Sequence, residues 1–210
     1  MTRRLAVFSA FLFAALLVVI FGNASAVAQD KKVATFAGGC FWCIESDFDH
    51  IPGVLETVSG YTGGHTEAPT YKKVSSGGTG HFEALRITYD SARVSYDDLL
   101  EAFWHSVDPL DAGGQFCDRG DTYRTAVFVD DKAERKLAEA SLVRAEKELG
   151  QKIVTPILDA TTFFAAEDYH QGYAMKNPVR YKYYRWSCGR NQRVEALWGD
   201  KAYKGIDKEG

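Results

Sequence analysis

The sequence predicts an α+β fold. It reads as a single domain in which one mixed β-sheet with a split β-α-β (ferredoxin-like) core is packed by helices and fringed by long loops. Three observations predict it. Strand-like segments alternate with helix-like ones, which favours a mixed sheet over an all-α or all-β arrangement. Residues 131–149 form one amphipathic pattern bounded by Asp131 and Gly150, residue types that start and stop helices. Two stretches, 61–81 and 108–122, are irregular and contain glycine. Loops of that length in a compact domain are usually functional or disordered.

The elements follow in chain order. Arg3 and Arg4, an apolar run from Leu5 to Phe21 broken only by Ser9, and the small residues Asn23 to Ala28 have the layout of a secretory signal peptide. Two A-x-A sites end at Ala26 and Ala28. Cleavage there predicts a signal peptide over 1–28 and one domain over 29–210. The alternative is an uncleaved membrane anchor. The arginine pair also gives a weak hint of twin-arginine export. Val33–Ala37 reads as a short buried strand ended by Gly38 and Gly39, and Cys40–Phe48 as a helix. Val54–Gly60 is a second strand. Leu85, Ile87 and Tyr89 alternate with Ala84, Arg86 and Thr88, the mark of a half-buried strand. Ser95 and Asp98 form a capping box, with Leu99, Leu100, Phe103 and Val107 continuing at helical spacing. Tyr123–Val129 alternates again. Ile153–Leu158 is a strand weakened by Pro156. The tail is aromatic and loop-rich, with a short helix over 193–198.

Composition removes several function classes. The chain carries 25 Lys+Arg against 28 Asp+Glu, with no basic run to bind nucleic acid. No segment after the leader approaches membrane length. Four cysteines, Cys40, Cys43, Cys117 and Cys188, are too few for a disulfide scaffold at this size. An exported chain meets an oxidising compartment, so free thiols there need a purpose.

Cys40 follows a strand and two glycines and opens a helix. Unpaired N–H groups and the positive helix end predict an acidified, reactive thiol there; the plain alternative is a small buried hydrophobe. Cys43 completes a C-x-x-C, a spacing shared by redox pairs and zinc half-sites. Neither Cys117 nor Cys188 has a second ligand at zinc spacing, and His81-Phe82-Glu83 resembles a deaminase H-x-E without the rest of that motif, so no metal is expected. Phe41 and Trp42 suit an aromatic wall for a sulfur-bearing or methyl group. Glu83 shares strand parity with Leu85, Ile87 and Tyr89 and so faces the core, where a carboxyl has a raised pKa and donates protons near neutrality. Tyr123 has the same relation to Val127 and Val129. Asp118 and Tyr71 lie in the two long loops, where a turn former and a half-buried core residue are the plain readings. Cys188, on a glycine-flanked tail, suits a resolving thiol, with a disulfide to Cys117 or an idle thiol as alternatives.

The motifs GCFWC, GYTGG, PTY, TGHFEAL, CDRGDTYRTAVF and AEDYHQGY resemble those of the A-type peptide-methionine sulfoxide reductases, from about Ala34 to Trp198. The resemblance implies reduction of the S epimer of methionine sulfoxide, free or in proteins. It makes Cys40 the nucleophile, Glu83 the acid that protonates the sulfoxide oxygen, Tyr71 and Tyr123 its hydrogen-bond donors, and Asp118 part of the polar network. Phe41 and Trp42 become the pocket for the substrate methyl. Cys40 then becomes a sulfenic acid that a second thiol resolves to a disulfide, recycled by a thioredoxin-type donor without any cofactor. Many relatives carry Gly at the position of Cys43, and some have two C-terminal cysteines where this chain has Cys188. Cys188 is therefore the favoured resolving thiol and Cys43 its rival, which needs the first helical turn to fray. Cys117 receives no role. A bacterial, exported, monomeric repair enzyme of the periplasm or cell envelope is the expected whole. The competing reading is a thiol–disulfide oxidoreductase using Cys40 and Cys43, which leaves Glu83, Tyr71 and Tyr123 unexplained; a third is a non-enzymatic metal-binding or interaction domain.

Overall fold

A computed structural model describes residues 30–207; the expected signal peptide, residues 1–28, lies outside them. The strands are β1 (Lys31–Gly38), β2 (Val54–Thr62), β3 (Phe82–Asp90), β4 (Gly114–Gln115), β5 (Asp118–Arg119), β6 (Thr125–Val129), β7 (Ile157–Asp159) and β8 (Phe164–Ala165). The helices are α1 (Phe41–Phe48), α2 (Tyr71–Ser75), α3 (Tyr96–Trp104), α4 (Lys132–Leu149), α5 (Tyr173–Lys176), α6 (Pro178–Ser187) and α7 (Arg190–Trp198).

Six strands form one sheet in the order β7-β6-β1-β3-β2-β8, and β4 and β5 form a separate small hairpin. β1 and β2 each run antiparallel to β3. They are therefore parallel to each other, with α1 as the crossover and β3 inserted between them, the predicted split β-α-β. Only the β6–β7 pair is parallel among direct neighbours. Among the described residues no helix is long and apolar enough to cross a membrane.

Apolar periodicity decides which faces are buried. Phe36, Leu85 and Ile87 lie on one sheet face against Ile44 and Phe48 of α1, Leu99 and Phe103 of α3, and Ala138 and Ala145 of α4, all in one cluster. Phe36 sits at its centre, with ring centroids 5.7 Å from Phe48 and 5.1 Å from Phe103. Phe36→Ala is expected to cost about 3–5 kcal/mol, because this close-packed site cannot collapse around the void. A urea titration checks it, through a lowered midpoint at unchanged slope. The other face holds Ala37, Phe82, Ala84, Ala126 and Phe128, covered by Leu158, Ala160 and Phe163.

That second cover corrects the half-buried reading of β3: Ala84 is as buried as Leu85, and only Arg86 and Thr88 keep partial exposure. Other expectations also shift. The stretch 61–81 contains α2, started by Thr70, whose hydroxyl accepts the Lys73 N–H. β7 begins only after Pro156, because that residue has no N–H for the ladder. The tail holds three helices. Pro178 occupies the first turn of α6, where its missing N–H is harmless. Tyr123 lies in a 3-10 turn (Asp121–Tyr123) ahead of β6, so strand parity does not orient it.

Candidate active site

Gly38 and Gly39 set the position of Cys40. Gly39 has φ +84, and a Cβ there would lie 2.5 Å from Cβ of Gln115, so only glycine fits. The chain turns and enters α1 with Cys40 as N-cap. Cys43 is then the third helical residue, and its N–H donates to the Cys40 carbonyl at 3.0 Å. An N-cap side chain naturally reaches the third residue of its helix. With Cys40 outside the helix as N-cap, the two thiols lie close enough to shift each other's titration. Both are free and buried.

Around Cys40 lies a cavity of about 80 Å³. Of the residues singled out from sequence, Phe41, Trp42, Tyr71, Glu83, Asp118 and Tyr123 all line it with Cys40. Cys188 does not line it. That cysteine is bonded to Cys117, so in this state it is not a free resolving thiol, and the thiol beside Cys40 is Cys43.

Glu83 is 2 % exposed. Its Oε2 accepts the Phe41 N–H, the first of α1, at 3.0 Å. Burial outweighs that bond, and the charge of Asp118 adds to it, so the carboxyl is pushed up to about 8. Glu83 is therefore mostly protonated at neutral pH, as an inward-facing acid should be. The expected acidification of Cys40 by the helix start is not what the site gives. Burial first, then the Cys43 thiol and the charges of Glu83 and Asp118, hold the Cys40 thiol well above its usual range. The first N–H of α1 goes to Glu83 and not to the thiol. The Cys43 thiol moves the other way, to about 7, because it accepts from Cys40 and faces Arg190 and Arg185. The pair thus releases a first proton easily and a second with difficulty, as coupled groups do.

Tyr71 and Tyr123 both line the cavity, close enough to influence one another's titration. Burial raises both phenols, so they stay O–H donors at neutral pH. Tyr184 donates its O–H to Asp118 Oδ2. The aromatic wall is braced from behind: Trp42 stacks on Tyr173 with centroids 3.7 Å apart, and its Nε1 donates to His170 Nδ1 at 3.0 Å. His170 also packs on Tyr71 and Phe41. Glu167 accepts from the Tyr71 N–H and the Tyr61 O–H, each at 2.9 Å.

Sequence reasoning missed Tyr184, Glu167, His170, Tyr173, Arg185 and Arg190. The motif AEDYHQGY carried the middle three in plain view, but their roles depend on a contact with α1 some 128 residues away. Arg190 gave no signal: it is 1 % exposed and donates to the carbonyls of Gly38 and Ser106. Among the described residues, Cys117, Asp118 and Cys188 form the one trio of metal-capable side chains, and its two sulfurs are bonded to each other.

A buried thiol pair that faces a protonated carboxyl and two phenols, across an aromatic-walled cavity, defines a thiol oxidoreductase able to protonate an oxygen it removes. The family model for peptide methionine sulfoxide reductase matches residues 32–202. The chain belongs to the peptide methionine sulfoxide reductase family. It is 50% identical over 190 residues to peptide methionine sulfoxide reductase MsrA 2 of Rhizobium meliloti, covering 90% of this chain and 95% of that one. It is 51% identical over 199 residues to the MsrA 2 of Caulobacter vibrioides, covering 94% and 99%. Among solved structures, it is similar to reduced Mxr1 of Saccharomyces cerevisiae, with TM-score 0.66 and 31% identity over 72% of this chain and 88% of that one. The methionine sulfoxide reductase A of Corynebacterium diphtheriae gives TM-score 0.64 and 30% identity, with 71% and 76% covered.

Proposed function

We propose that the chain reduces the S epimer of methionine sulfoxide, free or in proteins, through Cys40, with Glu83 as acid. The observation that carries the assignment of roles is the fully buried Glu83 carboxyl held to the first N–H of α1, one residue from Cys40. Substrate enters with its methyl against Phe41 and Trp42 and its oxygen towards Glu83, Tyr71 and Tyr123. The Cys43 thiolate takes the Cys40 proton, and the Cys40 sulfur attacks the sulfoxide sulfur. Glu83 gives its proton to the oxygen, which is a poor leaving group until protonated. The hydroxyl passes from the substrate sulfur to the Cys40 sulfur as the S–O bond and the sulfur–sulfur bond formed in the attack both break, so methionine leaves and Cys40 is a sulfenic acid.

Cys43 resolves it. Its thiol lies three residues along the chain from that of Cys40, at the start of the same helix, and two guanidinium groups favour its thiolate. Attack on the Cys40 sulfur expels the oxygen as water and forms a Cys40–Cys43 disulfide. An external dithiol of thioredoxin type returns two electrons and two protons. This reading takes the rival thiol of the sequence analysis over Cys188, on the ground of proximity.

We further propose that residues 1–28 direct export and are removed, so that the enzyme works in an oxidising compartment; the Cys117–Cys188 disulfide suits that setting. The mass of protein purified from the envelope is expected to correspond to a start at Val27 or Gln29.

The central test is turnover of separated S and R methionine sulfoxide with dithiothreitol. Only the S epimer is expected to yield methionine. Disulfide exchange without turnover of either epimer would leave the C-x-x-C oxidoreductase as the correct reading.

A further inference from the structure

We propose that the Cys117–Cys188 disulfide is a redox-opened clamp that holds Asp118 and Tyr184 at the cavity wall, which makes the two cysteines positioning residues outside the turnover chemistry. The proposal rests on the sulfoxide reduction argued above. The bond joins segments 71 residues apart. Cys117 directly precedes Asp118, which opens β5. Cys188 lies one helical turn beyond Tyr184 and donates its N–H to the Tyr184 carbonyl at 3.0 Å. Tyr184 in turn donates its O–H to Asp118, and both side chains line the cavity. One covalent link and one hydrogen bond therefore run side by side between the same two segments.

The backbone beside the clamp is strained. Phe116 has φ +55 without being glycine, and it packs under the Arg190 guanidinium at 4.8 Å. Such a conformation persists where the surroundings dictate it, and the disulfide supplies part of that dictation one residue away. Access also differs between the two thiol pairs. Cys117 is exposed, whereas Cys40 and Cys43 are 7% and 3% exposed. A solvent dithiol reaches the clamp first. It gives two electrons and two protons, the Cys117–Cys188 S–S bond breaks to two thiols, and the donor leaves as its own disulfide.

Opening frees the Asp118 carboxylate to turn towards water. The groups facing Glu83 are Cys40 and Cys43 from α1, Tyr61 from β2, Tyr71 from α2, Tyr123 from the 3-10 turn, and Asp118 from β5. Of these, only Asp118 is tied to the clamp. Its own neighbours across the gap are Tyr184 and Arg190. The Asp118 charge helps to keep Glu83 protonated, so losing it lowers the Glu83 pKa.

The experiment measures the first turnover of L-methionine-(S)-sulfoxide, without added reductant, in three preparations. These are wild type with Cys40 and Cys43 reduced and the clamp closed, wild type fully reduced with dithiothreitol and desalted, and the Cys117→Ser/Cys188→Ser variant. Alkylation and peptide mass mapping verify the thiol state of each. The closed clamp is expected to turn over about 10- to 100-fold faster than either open form, and the alkaline limb of both open forms is expected at lower pH. The reduced wild type carries no substitution, so a misfolded variant does not obscure the result. Equal rates and limbs in all three overturn the clamp. So does a variant that matches closed wild type in the first turnover but fails in repeated turnover with thioredoxin, since that makes the pair an electron relay. No methionine from any preparation overturns the sulfoxide-reductase reading itself, and the clamp with it.

Discussion

Glu83→Gln is expected to lower kcat for (S)-methionine sulfoxide by about 10²- to 10⁴-fold, the usual contribution of a positioned general acid. Glutamine keeps the shape and can still accept the Phe41 N–H that anchors the carboxyl, so packing around α1 survives and the loss reports proton transfer. The pH profile separates the roles. In the wild type, the rate rises as the thiol pair loses its first proton, near the Cys43 value of about 7. It falls as Glu83 loses its proton near about 8. The result is a narrow bell. In Glu83→Gln the alkaline fall disappears while the acidic rise stays. A variant that is slow but keeps both limbs would remove Glu83 from the acid role.

The same carboxyl links pH to stability, with a sign opposite to that of a salt-bridged acid. Unfolded, Glu83 titrates near its ordinary 4.5; folded, near about 8. Between those values the native state holds more protons than the unfolded one, so stability falls as pH rises through this window. Denaturant midpoints of wild type are expected to drop from pH 5 to pH 8 more steeply than those of Glu83→Gln, which has no such proton to lose.

Much of this was legible in the chain, and the particular elements show why. The split β-α-β core was readable because β3 and α3 carry clean periods and a capping box. Glu83 was readable because parity with Leu85 and Ile87 is a local property. Tyr123 reached the cavity for a reason parity did not supply, namely a 3-10 turn. The tail was misread as loop because Arg185 and Arg190 look like a solvated face. Instead Arg185 is half-buried against Asp47 on α1, and Arg190 is buried against the carbonyls of Gly38 and Ser106, partners distant in sequence. The direction of the Cys40 shift was also out of reach. A helix start acidifies a thiol only if its N–H groups are free, and whether another side chain claims them is settled by tertiary structure alone.

Cys40→Ser is expected to abolish turnover of the S epimer altogether. The change is nearly isosteric in a site 7% exposed, so the fold and the aromatic wall should persist. A hydroxyl, however, neither attacks the sulfoxide sulfur nor carries oxygen away from it. Binding of substrate, followed by quenching of Trp42 fluorescence, should remain within a few-fold of wild type. The contrast with Cys43→Ser then locates the second electron source. Without the partner thiol, one methionine per enzyme should still appear, after which the reaction stalls with Cys40 one oxygen atom heavier by mass. Dithiothreitol restarts it by attacking the sulfenic acid directly. Had Cys188 been the resolving thiol, Cys43→Ser whose Cys117–Cys188 bond has first been reduced by a dithiol would instead accumulate a Cys40–Cys188 disulfide and release water, with Cys117 left as a free thiol. The burst amplitude and the disulfide map of that variant therefore decide which thiol touches the oxidised sulfur first. Proximity predicts Cys43, because it stands beside Cys40 at the start of α1 before any substrate binds, and Cys188 must first give up its bond to Cys117.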